Sequence, residues 1–155
     1  MKKITIDTPC IGICSTVYGD NVCRGCKRFS HEIIQWNQYP VEQKKRVWER
    51  LIKLQSQILG QKIKIVDVDK LEKFSLQQKL RIHQHLPPYS WAFQVLSLTS
   101  DRIVNLRDCG LMAFSEYQHL DIKQLSELIN EEYYQLSLAH FDISFTRHQQ
   151  QITKI

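Results

Sequence analysis

The chain contains no long apolar segment, because its apolar runs extend for only a few residues before Lys, Gln, Ser or Asp interrupts them. A membrane-spanning helix needs about 20 consecutive apolar residues, so none is expected. The basic start, MKKITIDTPC, is followed by no apolar stretch and no small-residue cleavage site, and we therefore expect no secretory signal. These absences predict a soluble cytoplasmic protein, and in the reducing cytoplasm structural disulfides are disfavoured.

The sequence also lacks internal repeats, linkers rich in Pro, Gly or Ser, and the P-loop, G-x-G-x-x-G, G-x-S-x-G and H-E-x-x-H motifs. No standard catalytic motif is visible, so an enzyme with a pocket hidden from the sequence ranks behind a binding function. At 155 residues and 43% hydrophobic content, the chain can bury a core of its own. It does not need a metal merely to fold.

Negative charge is scarce in the N-terminal part of the chain. Residues 1–64 hold 12 Lys and Arg against 5 Asp and Glu, a net charge of +7, whereas residues 65–155 hold 9 against 11, a net charge of −2. A basic face of this kind meets nucleic acid or an acidic partner in some proteins, although solvated lysines are its commoner explanation.

Cysteine is rare except in one segment, PCIGICSTVYGDNVCRGCKR, which holds four of the five cysteines. Cys10, Cys14, Cys23 and Cys26 have the spacing C-x3-C-x8-C-x2-C. In a reducing compartment, four thiols so close together favour a metal site. Four soft thiolates close a tetrahedral zinc site or anchor the irons of an iron–sulfur cluster.

The residues between the cysteines fit a ligand loop. Three glycines allow tight turns that direct backbone amides toward the sulfurs, and three cations favour deprotonated thiols. These residues are Gly12, Gly19 and Gly25, and Arg24, Lys27 and Arg28. Cys23 and Cys26 suit one half of a zinc site, and the spacing differs from that of bacterial ferredoxins. The spacing alone therefore leaves zinc and iron equally open.

The cysteines belong to a longer pattern, made up of Pro9, Cys10, Gly12, Cys14, Gly19, Cys23, Gly25, Cys26, Arg28, Glu32, Ile33 and Trp36. This pattern resembles the small bacterial family called domain of unknown function 1289, whose members are described as predicted iron–sulfur proteins. The resemblance covers about the first third of the chain, and Lys27 and Phe29 depart from it where Gly and Thr are expected. It implies an iron–sulfur cofactor on the four cysteines and no established reaction.

The pattern of apolar residues predicts an α-rich α+β fold. We expect a short helix that has Ser30 as its N-cap and ends at Trp36, and a long amphipathic helix from Val41 to Leu59. We also expect a strand at IKIVDV, followed by a helix that begins with a capping box of Asp69 and Glu72. The stretch WAFQVLSLTSDRIVNLRDCGLMAF suggests strands, Asp121 caps a further helix, and the tail from Arg147 frays. Residues 1–60 form the cysteine-rich region, and residues 61–155 form a mixed α/β region packed on it.

Outside the cysteine segment the candidates are weaker. His83 and His85 could add metal ligands but are more often surface residues, and Cys109 is expected to be a small buried apolar residue rather than a reactive thiol. Trp36 and Trp48 are expected in the core and not as stacking platforms for bases. Arg46, Arg50 and Lys53 line the polar side of the long helix. With Arg24, Lys27 and Arg28 they could form one surface that binds nucleic acid.

These observations favour a protein that binds an iron–sulfur cluster through Cys10, Cys14, Cys23 and Cys26. Such a protein would act in electron transfer, redox sensing or docking to a protein partner. The alternative is a zinc-stabilised module that binds nucleic acid or protein, which the basic N-terminal part of the chain would suit.

Overall fold

Helices dominate the fold, and a small two-stranded sheet accompanies them. The computed structural model describes residues 7–12, 14–82 and 86–153, with side chains as far as residue 147. The elements are α1 (Ser30–Gln35), α2 (Val41–Gly60), β1 (Ile63–Ile65), α3 (Val68–Gln77), α4 (Pro88–Thr99), β2 (Leu111–Ala113) and α5 (Ile122–Thr153). Short 3-10 helices occur at Ser15–Tyr18, Trp36–Gln38, Leu106–Cys109 and Ser115–Tyr117. The prediction of an α-rich α+β fold is confirmed.

The chain divides into two compact units. The first, here called the cysteine unit, comprises the described residues up to Leu51 together with those from Tyr133 onward. The second, here called the sheet unit, is Ile52–Glu132. Helices α2 and α5 each contribute residues to both. The predicted division at residue 60, with the two regions packed together, stays a prediction.

In the cysteine unit, α1 begins at Ser30, so Ser30 is the first helical residue and not the predicted N-cap. The preceding residue, Phe29, has no side-chain acceptor with which to cap the helix, and its own backbone N–H donates to Oε1 of Glu32 over 2.8 Å. This bond is the half of a capping box that the third helical residue supplies. Glu32 also places a negative charge in the first turn, where it favours the helix dipole.

Helix α2 follows Pro40 and buries the apolar face that the sequence predicts. In the cysteine unit, Val47 and Leu51 form a cluster with Trp36, and the half-buried Tyr39 and Trp48 pack against it. Leu54, Ile58 and Leu59 continue the buried face in the sheet unit. Burial of each such side chain contributes roughly 1.5–3 kcal/mol, so packing rather than local propensity holds this helix.

The sheet unit is organised around the antiparallel pair β1 and β2. Ile63 lies opposite Ala113 and Ile65 opposite Leu111, which confirms a strand within IKIVDV. Helix α3 begins after Asp67, whose Oδ1 accepts a hydrogen bond from the Lys70 amide over 3.1 Å. The predicted cap, Asp69, instead lies in the first turn of the helix. Asp67 and Asp69 are both able to cap a helix, and the structure uses Asp67.

The prediction of strands after Trp91 is wrong for most of that stretch. Residues 88–99 form α4, which has Pro88 as its first residue, a position where the missing N–H costs nothing. Buried residues occur on most sides of this helix, so its sequence shows no amphipathic period. Only Leu111–Ala113 forms a strand.

At the C-terminal helix, Asp121 caps α5 as predicted, because its Oδ1 accepts a hydrogen bond from the Gln124 amide over 2.7 Å. The expected fraying from Arg147 is not seen, since the helix continues to Thr153. Within the described ranges, no helix combines the length and the apolar character that crossing a membrane requires.

Candidate metal centre

Cys23 and Cys26 lie in a tight turn whose two ends are joined by an isolated bridge between Val22 and Phe29. The Cys23 amide donates to the Arg28 carbonyl over 2.9 Å, and the Lys27 amide donates to the Cys23 carbonyl over 2.8 Å. The side chains of Val22 and Phe29 are buried in a cluster with Tyr134 of α5. An apolar residue on each side of the turn thus fixes the two thiols to the core.

The two thiols are hydrogen-bonded to each other. Donation from Cys26 lowers the pKa of Cys23 to about 4 against the opposing effect of burial, and backbone amides of Cys26, Ser15 and Gly25 assist. The pKa of Cys26 is raised in turn, first by this bond and then by burial. The pair therefore holds one negative charge readily.

Cys10 and Cys14 occupy the preceding loop and are half-buried. The Gly12 amide donates to Sγ of Cys10 over 3.4 Å, and Sγ of Cys14 shares a hydrogen bond with the Thr16 hydroxyl over 2.9 Å. Gly12 and Gly19 have left-handed backbones, with φ of 91° and 102°, as predicted for the turns of this loop.

One contact pattern is common to all four cysteines. Each sulfur is hydrogen-bonded to the residue two positions later, through a backbone amide at Gly12, Gly25 and Arg28 and through a hydroxyl at Thr16. At Cys23 and Cys26 the backbone amides lower the pKa of the thiols, and the thiolate is the form that binds metal.

Ser15 connects the two halves of the segment. Its amide donates to Sγ of Cys23, and its hydroxyl accepts a hydrogen bond from the Arg24 amide over 2.8 Å. The residue next to Cys14 is therefore bound directly to the turn that carries Cys23.

The four thiols are not gathered into one closed site. In the part of the chain that the structure describes, no three side chains of His, Cys, Asp or Glu lie together as a metal-binding group. Cys23 and Cys26 form one half of the predicted set, and Cys10 and Cys14 remain in the adjoining loop. The donor set still fits a metal–thiolate centre, because its thiols are soft ligands and backbone amides donate to the sulfurs of Cys10, Cys23 and Cys26.

Lys27 takes the conformation that was expected of a glycine. Its φ is 65°, whereas Gly25 is not among the residues with positive φ. This is the position at which the family pattern leads one to expect Gly. The side chain is 1% exposed, its ammonium group donates to the carbonyls of Arg24 and Gly25, and it lies 5.2 Å from the centre of the Tyr133 ring.

Arg28 is also buried, at 3% exposure. Its Nε donates to Sγ of Cys26 over 3.3 Å, and its guanidinium carbon lies 4.9 Å from the centre of the Trp36 ring. Attraction between a guanidinium and an aromatic face is strongest where water is excluded. Arg28 is thus a fixed cation beside the cysteine pair.

A second buried contact supports this region. Arg50 of α2 binds both carboxylate oxygens of Glu32, each over 2.6 Å, and its guanidinium carbon lies 3.9 Å from the centre of the Phe29 ring. Nearby, the Tyr133 hydroxyl donates to the Leu51 carbonyl over 3.1 Å. Burial raises the pKa of Tyr133, and the Cys26 sulfur adds to the increase.

These contacts correct the prediction of one basic surface for nucleic acid. Lys27 and Arg28 are buried, and Arg50 is engaged by Glu32. Arg24, Arg46 and Lys53 are exposed. A charge count cannot distinguish a solvated cation from one that compensates a buried anion.

The remaining candidates lie away from the cysteine segment. His83 and His85 fall outside the described residues. Cys109 is fully buried in the sheet unit, where burial and then Asp108 raise its pKa to about 11, as expected for an inert thiol. Trp36 is buried and Trp48 half-buried, which confirms core packing.

Sequence reasoning missed the structural roles of Lys27 and Arg28 and the contribution of Tyr133. The presence of Gly in the family pattern at position 27 was the available signal for a left-handed residue. Nothing in the sequence near Tyr133 connects it to the cysteines, since helix α5 alone places it in their unit.

One comparison with known proteins concerns the N-terminal segment. Residues 8–55 match a family model described as "Protein of unknown function (DUF1289)", which confirms the resemblance and its restriction to the N-terminal part of the chain. The matched segment contains all four clustered cysteines and the pair formed by Glu32 and Arg50. No curated protein and no solved structure matches the chain.

Proposed function

We propose that Cys10, Cys14, Cys23 and Cys26 bind an iron–sulfur cluster, with which the protein transfers electrons or senses redox state. The observation that carries this proposal is the environment of Arg28. Its charge is buried, and among the described residues its contacts are the sulfur of Cys26 and the ring of Trp36, with no carboxylate.

A buried charge without a counter-charge is strongly unfavourable. The thiols of Cys23 and Cys26 hold one negative charge beside Arg28, and further thiolates bound to a metal would add to it. The same negative charge would also stabilise Lys27, the second cation buried in this turn. The contrast with Arg50 is informative, because that cation has the carboxylate of Glu32 as its partner.

The hydrogen bonds to the sulfurs support the same proposal. Amides directed at thiolates stabilise the charge of an iron–sulfur centre and tune its reduction potential. When bound, such a cluster supplies one-electron oxidation and reduction. The chain's own part is to hold the four sulfurs, to supply two buried cations, and to exclude water through Val22, Phe29 and Tyr133.

For a partner, we propose a protein rather than nucleic acid. Val17 and Tyr18, three and four residues after Cys14, are 74% and 89% exposed, and tyrosine is enriched at protein interfaces. Three of the six cations that were expected to bind phosphates are not exposed for that role, because Lys27 and Arg28 are buried and Arg50 is paired with Glu32. Cytoplasmic location stays a prediction.

The test is anaerobic purification of the full chain, followed by iron, acid-labile sulfide and zinc analysis and a visible spectrum. We expect a brown protein with iron and sulfide. Cys23→Ser should lose both, whereas the matched control Cys109→Ser, which alters a thiol of the sheet unit, should keep them. Colourless protein with one equivalent of tightly held zinc would establish the zinc alternative instead.

A further inference from the structure

Cys23 and Cys26 lie within one tight turn, and their side chains are hydrogen-bonded to each other. Cys10 contacts the Gly12 amide, and Cys14 contacts the Thr16 hydroxyl. In the described part of the protein, no third Cys, His or carboxylate joins the pair.

We propose that Cys23 and Cys26 are a dithiol site for thiol–disulfide exchange, and that they form a reversible disulfide with a small-molecule disulfide as oxidant. The proposal rests on their juxtaposition in one turn and concerns the chain without a bound cluster, because a sulfur that ligates iron is not available for exchange. Two residues separate them, so the closed ring is small and its closure costs little chain entropy. The bonds between Cys23 and Arg28 and between Lys27 and Cys23 hold the turn closed already.

The exchange proceeds in two steps. One thiol of the pair gives up its proton and attacks a sulfur of the oxidant, whose S–S bond breaks as the mixed disulfide forms and the first thiolate leaves. The second thiol, after losing its proton, attacks the protein sulfur of the mixed disulfide and expels the second thiolate. The two expelled thiolates take up the two protons, so one protein dithiol is oxidised and one disulfide is reduced to two thiols.

The burial of Cys23 and Cys26 makes the proposal easy to contradict, because buried thiols are less accessible to an oxidant. Cys23 and Cys26 are 1% and 8% exposed, whereas Cys10 and Cys14 are half-buried. If access alone decided reactivity, Cys10 and Cys14 would be oxidised first. If the juxtaposition of the sulfurs decides it, the buried pair closes first, because a mixed disulfide at either sulfur is resolved at once by its neighbour.

The experiment equilibrates the metal-depleted full chain with glutathione buffers of increasing oxidised fraction, blocks the remaining thiols with an alkylating agent in acid, and maps the peptides by mass spectrometry. We expect a Cys23–Cys26 disulfide in buffers where Cys10, Cys14 and Cys109 are still alkylated. Reduction with excess glutathione should restore both thiols.

Two variants make the result decisive. Cys10→Ser/Cys14→Ser should keep the cross-link, and Cys23→Ser should lose it and retain glutathione on Cys26, with far-ultraviolet circular dichroism confirming that each variant is folded. A Cys10–Cys14 disulfide that forms first, or glutathione that stays on the parent protein without a cross-link, would overturn the proposal. So would a pair that stays reduced in fully oxidised glutathione. Metal analysis of the same preparations before depletion tests the cluster separately.

Discussion

Arg28 donates a hydrogen bond from Nε to Sγ of Cys26 over 3.3 Å, in a site where Arg28 is 3% exposed. A guanidinium so placed stabilises a negative charge on the sulfur, and its carbon lies 4.9 Å from the centre of the Trp36 ring. The relationship links the cysteine turn to the core of its own unit.

The first prediction follows from this contact. Arg28→Met removes both the charge and the donor, so metal affinity should fall by about 10–100-fold, as for other residues that support metal ligands. Arg28→Lys keeps the charge but not the Nε donor, so its metal affinity should lie between those of the parent protein and Arg28→Met. Competition with a chelator, followed at the visible absorption of the bound metal, measures the change.

The control for this series is Arg24→Met. Arg24 is in the same turn, but its side chain is 58% exposed, and solvent screens its charge. Its loss should leave the affinity within about twofold. An effect as large as that of Arg28→Met would mean that total positive charge, and not the contact with Cys26, supports the site.

A second prediction concerns Lys27, whose left-handed backbone a side chain rarely adopts. A residue with a Cβ atom in this conformation costs about 1 kcal/mol more than glycine. Lys27→Gly and Lys27→Ala both remove the ammonium group bound to the carbonyls of Arg24 and Gly25. Lys27→Gly should therefore be the more stable of the two by about 1 kcal/mol. Urea unfolding measures the difference, and equal stabilities would contradict the left-handed backbone.

A third prediction concerns the ion pair between Glu32 and Arg50. Both carboxylate oxygens of Glu32 accept hydrogen bonds from Arg50, and Glu32 is 4% exposed. Glu32→Gln should destabilise the protein by about 3 kcal/mol, because it leaves a partly buried guanidinium uncompensated. The matched control is Glu42→Gln, at the exposed pair between Glu42 and Lys45, which should cost less than about 0.5 kcal/mol.

The cycle of Glu32→Gln, Arg50→Met and the double variant isolates the pair itself. We expect a coupling free energy of about 2 kcal/mol. Additive single effects would mean that Glu32 acts mainly by accepting the Phe29 amide at the start of α1.

The cysteine spacing, the start of α1 and the apolar face of α2 were predictable because each depends on residues close together in the chain. Ser30, Glu32 and Pro40 carry the boundary signals, and the spacing of Val47 and Leu51 carries the helical period. The strand prediction for the residues of α4 failed for a related reason. A helix that is buried on most sides has no polar stripe, and its composition does not separate it from a buried strand.

The environment of the cysteines was predictable only in part. Positive charge near the thiols was visible in the sequence, but its burial depends on Trp36 and Tyr133, which other elements supply. Arg50 was expected on the solvent-exposed face of α2 for the same reason, because its environment depends on a residue from another helix. Its partner Glu32 lies 18 residues earlier, on α1, and no local pattern connects the two.

The last prediction uses the buried thiol of the sheet unit. Burial, and then Asp108, raise the pKa of Cys109 from 9.0 to about 11. In the unfolded chain this thiol loses its proton near pH 9, whereas in the folded protein it keeps the proton until about pH 11. Between these values the folded state binds more protons than the unfolded state, so the free energy of unfolding must fall as the pH rises. Cys109→Ala removes this contribution while leaving every other titrating group in place. We expect the parent to lose about 2 kcal/mol more than the variant between pH 8.5 and about pH 11, as measured by urea unfolding of both proteins across that range. Parallel pH profiles would show that Cys109 titrates with its ordinary pKa and is reached by water in the folded protein.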